Sequence, residues 1–444
     1  MPDTSPAIAG IAVPASHQRA PLLGDGSYQH DAGEVFRELY QAHGPVAPVL
    51  LPGGVPAWLT LDHQTLRRVT EDPVTFARNT LRWRLGPLLP SDWPLWPMLG
   101  GGQAHDCLLY AEGEAHRQRA GALSAALDAV DRGEFAARCQ HISEHLLARV
   151  APAGAAELMA DYALKVPVLV MSWALGVPEE DSRDLPAHFA AMLSSGPEAI
   201  SGRQRAREVV ERLVARVRRR PGADVASRLA EHPLALSDRQ LAEDLLVTYI
   251  AGHITTAYMI GNTARLMLTD DRFTDTLRRG RLSVSDALHE VRWNDTPTQV
   301  FAGRITTRVT DLGNYRIPAG DLVLLGLAAA NTDPTLHPAP TAANTNPALD
   351  SAPAPASGVR DCRAYLSYSH GPHSCPRPAR DLSEVMASTA IEVLLDALPG
   401  LSLACHDSQL RWAPTIWMRG LLALPVQFAP TSLSLGHPKG LPWM

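Results

Sequence analysis

Lysine is almost absent from this chain of 444 residues. Only Lys165 and Lys439 occur, and arginine supplies nearly all the positive charge. The net charge of -6 leaves no broad basic field of the kind nucleic-acid binding needs. Cysteine is also scarce. Cys107, Cys139, Cys362, Cys375 and Cys405 are odd in number, widely scattered and without a CxxC pair. That argues against a disulfide framework or a zinc site and fits a reducing compartment. No apolar run reaches the roughly 18 to 20 residues of a membrane span. The N-terminus lacks the basic segment and apolar run of a secretory signal. The expectation is a soluble, cytoplasmic protein with no membrane anchor and no nucleic-acid partner.

What is present is a large apolar content, 45% hydrophobic, enough for a sizeable core in one big domain or two. Residues 1–30 are rich in Pro, Gly and Ser and read as a surface segment. Residues 31–428 read as a single domain, and 429–444 as a loose tail. The passage Pro48 to Leu59 predicts a hairpin turning at Gly53-Gly54. Residues 80–112, rich in Trp, Pro and Gly, show no clear period, and a loop of that length in a compact domain is usually functional. Ser237-Asp238-Arg239-Gln240 is a capping-box signature. From it an apolar pattern runs without proline to Leu268, a helix of about 46 Å. Beyond residue 297, short β-branched runs (Ile305-Thr306-Thr307, Leu322 to Leu325) alternate with turns. Residues 332–360 are irregular. A further helix is predicted from about Ala379 to Leu398, with strands following to Phe428. The sum is mainly α, α+β in class.

The chemistry concentrates at Tyr368-Ser369-His370-Gly371-Pro372-His373-Ser374-Cys375. A lone cysteine is more often a small buried hydrophobe. Here a helix follows it, and a helix N-terminus favours a thiolate, the form that binds a metal. Gly371 lets the backbone approach a flat cofactor closely. A second cluster, Ala251-Gly252-His253-Ile254-Thr255-Thr256, lies midway along the long helix. Gly252 would thin the helix beside a cofactor, and Thr255 and Thr256 would offer hydroxyls. The alternative is a glycine that merely packs tightly.

The cysteine segment resembles the ligand loop of the cytochrome P450 family, Phe-X-X-Gly-X-X-X-Cys. Tyr368, Gly371, His373 and Cys375 fall on its positions, with Tyr replacing Phe and Arg377 standing where the family usually has Gly. The helix segment resembles the family's Ala-Gly-X-Asp/Glu-Thr-Thr, but Ile254 occupies the acidic position. His253 is the alternative proton donor, turned about 100° around the helix. Glu290-Val291-Arg292-Trp293, read against Pro297 and Gln299, is similar to Glu-X-X-Arg with Trp in place of Arg, as in an actinobacterial branch. His116 matches one propionate anchor, Arg119 matches with a one-residue slip, and Arg304 resembles a second anchor on a strand. Ala330-Asn331-Thr332-Asp333-Pro334 and Ile416 to Val426 fit as well, so the resemblance covers nearly the whole chain.

The resemblance implies a triangular helical prism with a small β-rich lobe, and haem b ligated by Cys375. It implies a monooxygenase that hydroxylates or epoxidises a hydrophobic small molecule, in secondary metabolism. Electrons would come from a ferredoxin and reductase using NAD(P)H, docking on Arg117, Arg119, Arg377 and Arg380. Trp93, Trp96, Leu99, Met192, Thr248, Ile250, Phe301, Ile416 and Trp417 would face the substrate. Two other readings stay open. One is a peroxide-using, cyclising or rearranging haem-thiolate enzyme, motivated by Ile254. The other is a non-catalytic haem-binding relative, motivated by Trp293.

Overall fold

The computed structural model describes residues 8, 10–100, 106–194, 196–273, 283–333, 335–336 and 363–433. The start of the N-terminal segment, most of 332–360 and the end of the tail lie outside these residues. Near the N-terminus, α1 (Ala32–His43) packs on the predicted hairpin. Strands β1 (Val46–Leu51) and β2 (Val55–Thr60) pair antiparallel from Val46 opposite Thr60 to Leu51 opposite Val55. Gly53 and Gly54 turn the chain at φ 83° and 73°, the left-handed pair that a tight hairpin turn requires.

The hairpin belongs to a five-stranded sheet in the order β1-β2-β5-β4-β3, with β3 at Phe76–Ala77, β4 at Val300–Thr306 and β5 at Leu322–Gly326. The ladder between β4 and β5 shifts register between Phe301 and Arg304. Gly303 sits in that bulge, where a Cβ would stand 1.6 Å from the Val323 carbonyl oxygen. Only glycine allows so close a pass, and the bulge re-aims the side chains on either side of it.

Helices form the remainder. Those that frame the site are α2 (Gly113–Asp128), α3 (Lys165–Leu175), α4 (Leu185–Leu193), α5 (Ala199–Arg219), α6 (Asp238–Thr269), α7 (Val284–Asn294) and α8 (Arg377–Ala397). The capping box at α6 is formed in both directions: Gln240 N–H donates to Ser237 Oγ and Ser237 N–H to Gln240 Oε1, each at 3.2 Å. Most of α6 is buried all round, as expected of a helix that crosses the core. Gly420 lies against it, with no room for a Cβ beside the Tyr258 ring.

The Trp-rich passage differs from its expected role. Trp83, Trp93 and Trp96 pack against one another tilted or edge-to-face, at 5.4 to 6.0 Å between ring centres. Trp93 Nε1 donates to the Pro52 carbonyl and Trp96 Nε1 to that of Pro90. Trp83 and Trp93 join the main hydrophobic core and Trp96 packs against it, so the rings anchor this segment to the body of the fold.

Candidate active site

The loop from Leu366 to Pro376 presents Cys375 one residue before the Pro376 cap of α8. Ser369 N–H donates to the Leu366 carbonyl, Ser374 N–H to Gly371 and Cys375 N–H to Tyr368, at 2.7, 3.0 and 3.0 Å. Gly371 adopts φ 71°, and a Cβ there would stand 2.3 Å from the Thr70 carbonyl oxygen, so the loop closes only with glycine. Burial pushes the Cys375 thiol up to about 11, opposed by the Arg380 guanidinium, whose Nε donates to the Cys375 carbonyl at 2.7 Å. A metal cation bound at this sulfur would displace the proton that burial favours and stabilise the thiolate.

Across a cavity of about 320 Å³ from Cys375 lies the middle of α6. Ala251, Gly252, Ile254 and Thr255 face the cavity. Thr255 Oγ1 donates to the Ala251 carbonyl, which leaves the oxygen free to accept a hydrogen bond from the cavity side. Gly252 gives up its Cβ to Met171 of α3, whose Cε and Sδ would stand 2.6 and 2.8 Å away. The thin place in the helix thus admits a thioether that itself lines the cavity.

His253 is turned to the opposite side. Its Nε2 pairs with the Leu164 carbonyl at 3.0 Å, its ring meets Phe189, and burial lowers it to about 4. It does not line the cavity, so the alternative proton donor is corrected: one residue of offset on a helix buries it in the core. Thr256 is likewise turned away and hydrogen-bonds Ser383 Oγ of α8 at 3.0 Å. Its hydroxyl ties two helices together.

The anion-binding residues divide. Arg119 is a correction: its Nε and Nη2 grip Asp244 of α6 at 2.9 and 2.6 Å, and Nη2 also bonds the Asp106 carbonyl. A bidentate buried pair leaves that guanidinium nothing to offer a cofactor. Arg78, a residue that no local pattern marks, is instead a guanidinium with a donor left over. It is 2% exposed. Its Nε bonds the Leu109 carbonyl at 2.9 Å, and its Nη1 bonds Ala302 and Gly303 in the bulge. Its buried Nη2 has no partner. Arg304, also 2% exposed, makes one long hydrogen bond, Nη1 to the Gly303 carbonyl at 3.4 Å. Desolvation lowers it well below its ordinary value.

His116 and His373, both on the cavity wall, lie with ring centres 3.7 Å apart, and the buried His373 Nδ1 has no partner. Burial first, then Arg78 and Arg304, lower both imidazoles, His373 to about 2. Among the described residues no carboxylate forms an ion pair with Arg78 or Arg304. Two buried guanidiniums without counter-charge are costly unless a ligand brings the anions. A flat group carrying two carboxylates and accepting a thiolate, as haem does, fits this donor set.

Of the expected substrate-facing residues, Met192, Thr248, Ile250, Phe301 and Trp417 line the cavity. Trp93, Trp96, Leu99 and Ile416 do not, and Pro97 and Met98 stand where Trp93 and Trp96 were expected. Ile416 packs against Gly24, and its carbonyl accepts from Tyr28 Oη at 2.8 Å. Glu290 accepts from Asn294 Nδ2 at 2.9 Å and Arg272 Nη2 at 3.3 Å. Arg292 is buried with its guanidinium 5.8 and 6.0 Å from the Tyr365 and Tyr368 ring centres, and 3.8 Å from Glu384 of α8. Trp293 stands edge-on to Tyr365. Of the four arginines of the expected docking patch, Arg119 is taken up by Asp244, Arg380 donates Nε to the Cys375 carbonyl, and Arg117 pairs with Glu114.

The fold and the donor set at this site fit a protein that binds haem through a thiolate. No family model matches the chain. Over 429 residues it is 27% identical to vitamin D(3) 25-hydroxylase of Pseudonocardia autotrophica, covering 93% of this chain and 99% of that protein. Over 399 residues it is 28% identical to cytochrome P450 monooxygenase PikC of Streptomyces venezuelae, covering 87% and 89%. Its fold is similar to that of CYP154C4 from a Streptomyces species, with TM-score 0.80 at 24% identity over 93% of this chain and 99% of that one. Over nearly its whole length the chain is thus similar to cytochromes P450, and the relatives named are oxidoreductases of the monooxygenase kind. No helix among the described residues is long and apolar enough to cross a membrane.

Proposed function

We propose that residues 31–428 form one haem-binding domain that hydroxylates or epoxidises a hydrophobic small molecule of secondary metabolism. The observation that carries this reading is the apolar cavity set between Cys375 and the Thr255 face of α6. The relatives named as hydroxylases, epoxidases and monooxygenases support it.

In this reading Cys375 is the metal ligand. Tyr368 and Gly371 shape its loop, and Arg78, Arg304, His116 and His373 hold the two carboxylates. Haem, once bound, supplies the redox chemistry of O₂ activation, with thiolate donation assisting O–O cleavage. The protein does the rest. Met192, Thr248, Ile250, Phe301 and Trp417 orient the substrate and exclude water. Thr255 Oγ1 keeps its own proton on the Ala251 carbonyl and accepts a hydrogen bond from an ordered water, which makes it the near end of a proton path. Electrons come from a cytoplasmic ferredoxin and its reductase. Its docking face comprises Arg377, Arg380 and the Arg117–Glu114 pair, with the arginines steering an acidic partner.

The test is the haem-reconstituted protein. The reduced, carbon-monoxide-bound form should show the red-shifted Soret band of a thiolate ligand, and Cys375→Ser should lose it. Absence of that band in the wild type would sink the reading. A second reading has its own support: no Asp or Glu lies among the described residues lining the cavity, and Ile254 stands at the usual acid position. Turnover with peroxide, and none with ferredoxin, reductase and O₂, would favour a peroxide-using enzyme.

A further inference from the structure

Setting aside the imidazoles beside the anion-binding arginines, the cavity wall is apolar or neutral except at Arg203 of α5. It is the one Lys, Arg, Asp or Glu side chain among the described lining residues. Its side chain is 16% exposed. Among the described residues it makes a single hydrogen bond, from Nη2 to Glu243 Oε2 of α6. Its buried Nε has no partner. A guanidinium carries five N–H donors, so most of this one is unspent.

Glu243 cannot satisfy it fully. That carboxylate is fully buried and is shared with Arg207, whose Nε lies 3.3 Å from Oε1. Arg207 in turn leans on Glu211 at 3.0 Å. One carboxylate therefore serves two guanidiniums, and the one that faces the cavity keeps free donors there. Glu243 and Thr255 are twelve residues apart on α6, about 18 Å at 1.5 Å per residue. The cation thus stands at the far end of an apolar tunnel from the reacting end.

We infer that Arg203 is a specificity residue that holds the carboxylate of an elongated, otherwise apolar substrate. The carboxylate docks at the α5 end while the apolar tail reaches toward Thr255 and Cys375. A bidentate guanidinium–carboxylate contact in an apolar cavity is both strong and geometrically selective. The inference rests on the cavity being the substrate site, as proposed above.

The test is isothermal titration calorimetry of the haem-loaded full chain with dodecanoate and with 1-dodecanol. The wild type should bind dodecanoate at least tenfold more tightly, about 1.4 kcal/mol. Arg203→Met should remove that preference by weakening dodecanoate alone, and Arg203→Lys should keep part of it. Equal wild-type affinities for acid and alcohol would overturn the inference without any variant. So would an Arg203→Met protein that weakens both ligands alike, the mark of a purely structural strap between α5 and α6. The carbon-monoxide spectrum of the wild type is independent of either result. A correct Soret band with no acid preference refutes the role of Arg203 alone. A missing band with an intact acid preference refutes the monooxygenase reading alone.

Discussion

Replacing Arg304 by Met should make the cofactor-free protein more stable and the loaded protein worse at keeping its haem. Arg304 is 2% exposed, has one hydrogen bond at 3.4 Å and pairs with no carboxylate among the described residues. The penalty for burying such an ion is several kcal/mol, and replacement by an apolar side chain of similar volume relieves part of it. We expect the apoprotein to gain about 2 kcal/mol, a rise of roughly 2 °C in melting temperature for a chain this long. In the loaded protein the same change deletes a charge-assisted hydrogen bond of about 1.5 to 3 kcal/mol. Haem transfer to apomyoglobin should then speed up roughly 10- to 100-fold. Arg78→Met is the internal control. Arg78 satisfies the carbonyls of Leu109, Ala302 and Gly303, so its loss should destabilise the apoprotein as well. Circular-dichroism melts of the two apoproteins read the contrast. An Arg304→Met apoprotein that melts below the wild type, with haem transfer unchanged, would refute the assignment of this arginine to an absent anion.

Three further outcomes are expected. Thr255→Val should lower the product formed per NAD(P)H consumed, because Thr255 faces the cavity. Thr256→Val should instead cost about 1 kcal/mol of stability by losing Ser383, with coupling unchanged. His253 is held neutral by burial, its folded value depressed to about 4 from an ordinary 6.5. Its stabilising contribution is therefore complete above pH 6.5 and lost as pH falls toward 4, by up to about 3 kcal/mol. In urea titrations His253→Gln should flatten the pH dependence in that window, and an identical slope would remove His253 from the account. Gly371→Ala should destabilise the cysteine loop by about 2 kcal/mol or more, since φ 71° and the Thr70 carbonyl both oppose a Cβ. Reconstitution should then yield a diminished thiolate Soret band at equal protein concentration.

The sequence by itself determined much that is local. The capping box at Ser237, the left-handed Gly53-Gly54 turn and the helix after Cys375 are near-neighbour effects, and they form where the pattern placed them. The metal-ligand candidate was legible for the same reason: Tyr368, Gly371 and Cys375 act through one loop. What only the tertiary structure decided is which way side chains of like type point. Arg119 and Arg304 read alike in sequence, yet Asp244, 125 residues from Arg119, takes up the first, while among the described residues no carboxylate takes up the second. Arg78 gains its place from carbonyls more than two hundred residues away, across a bulge that depends on Gly303. His253 and Thr255 are two residues apart on one helix, and a rotation of about 200° sends one into the core and the other to the cavity. Charge and hydrogen-bond capacity are properties of the residue; whether they are spent on the fold or left for a ligand depends on partners that only long-range packing supplies.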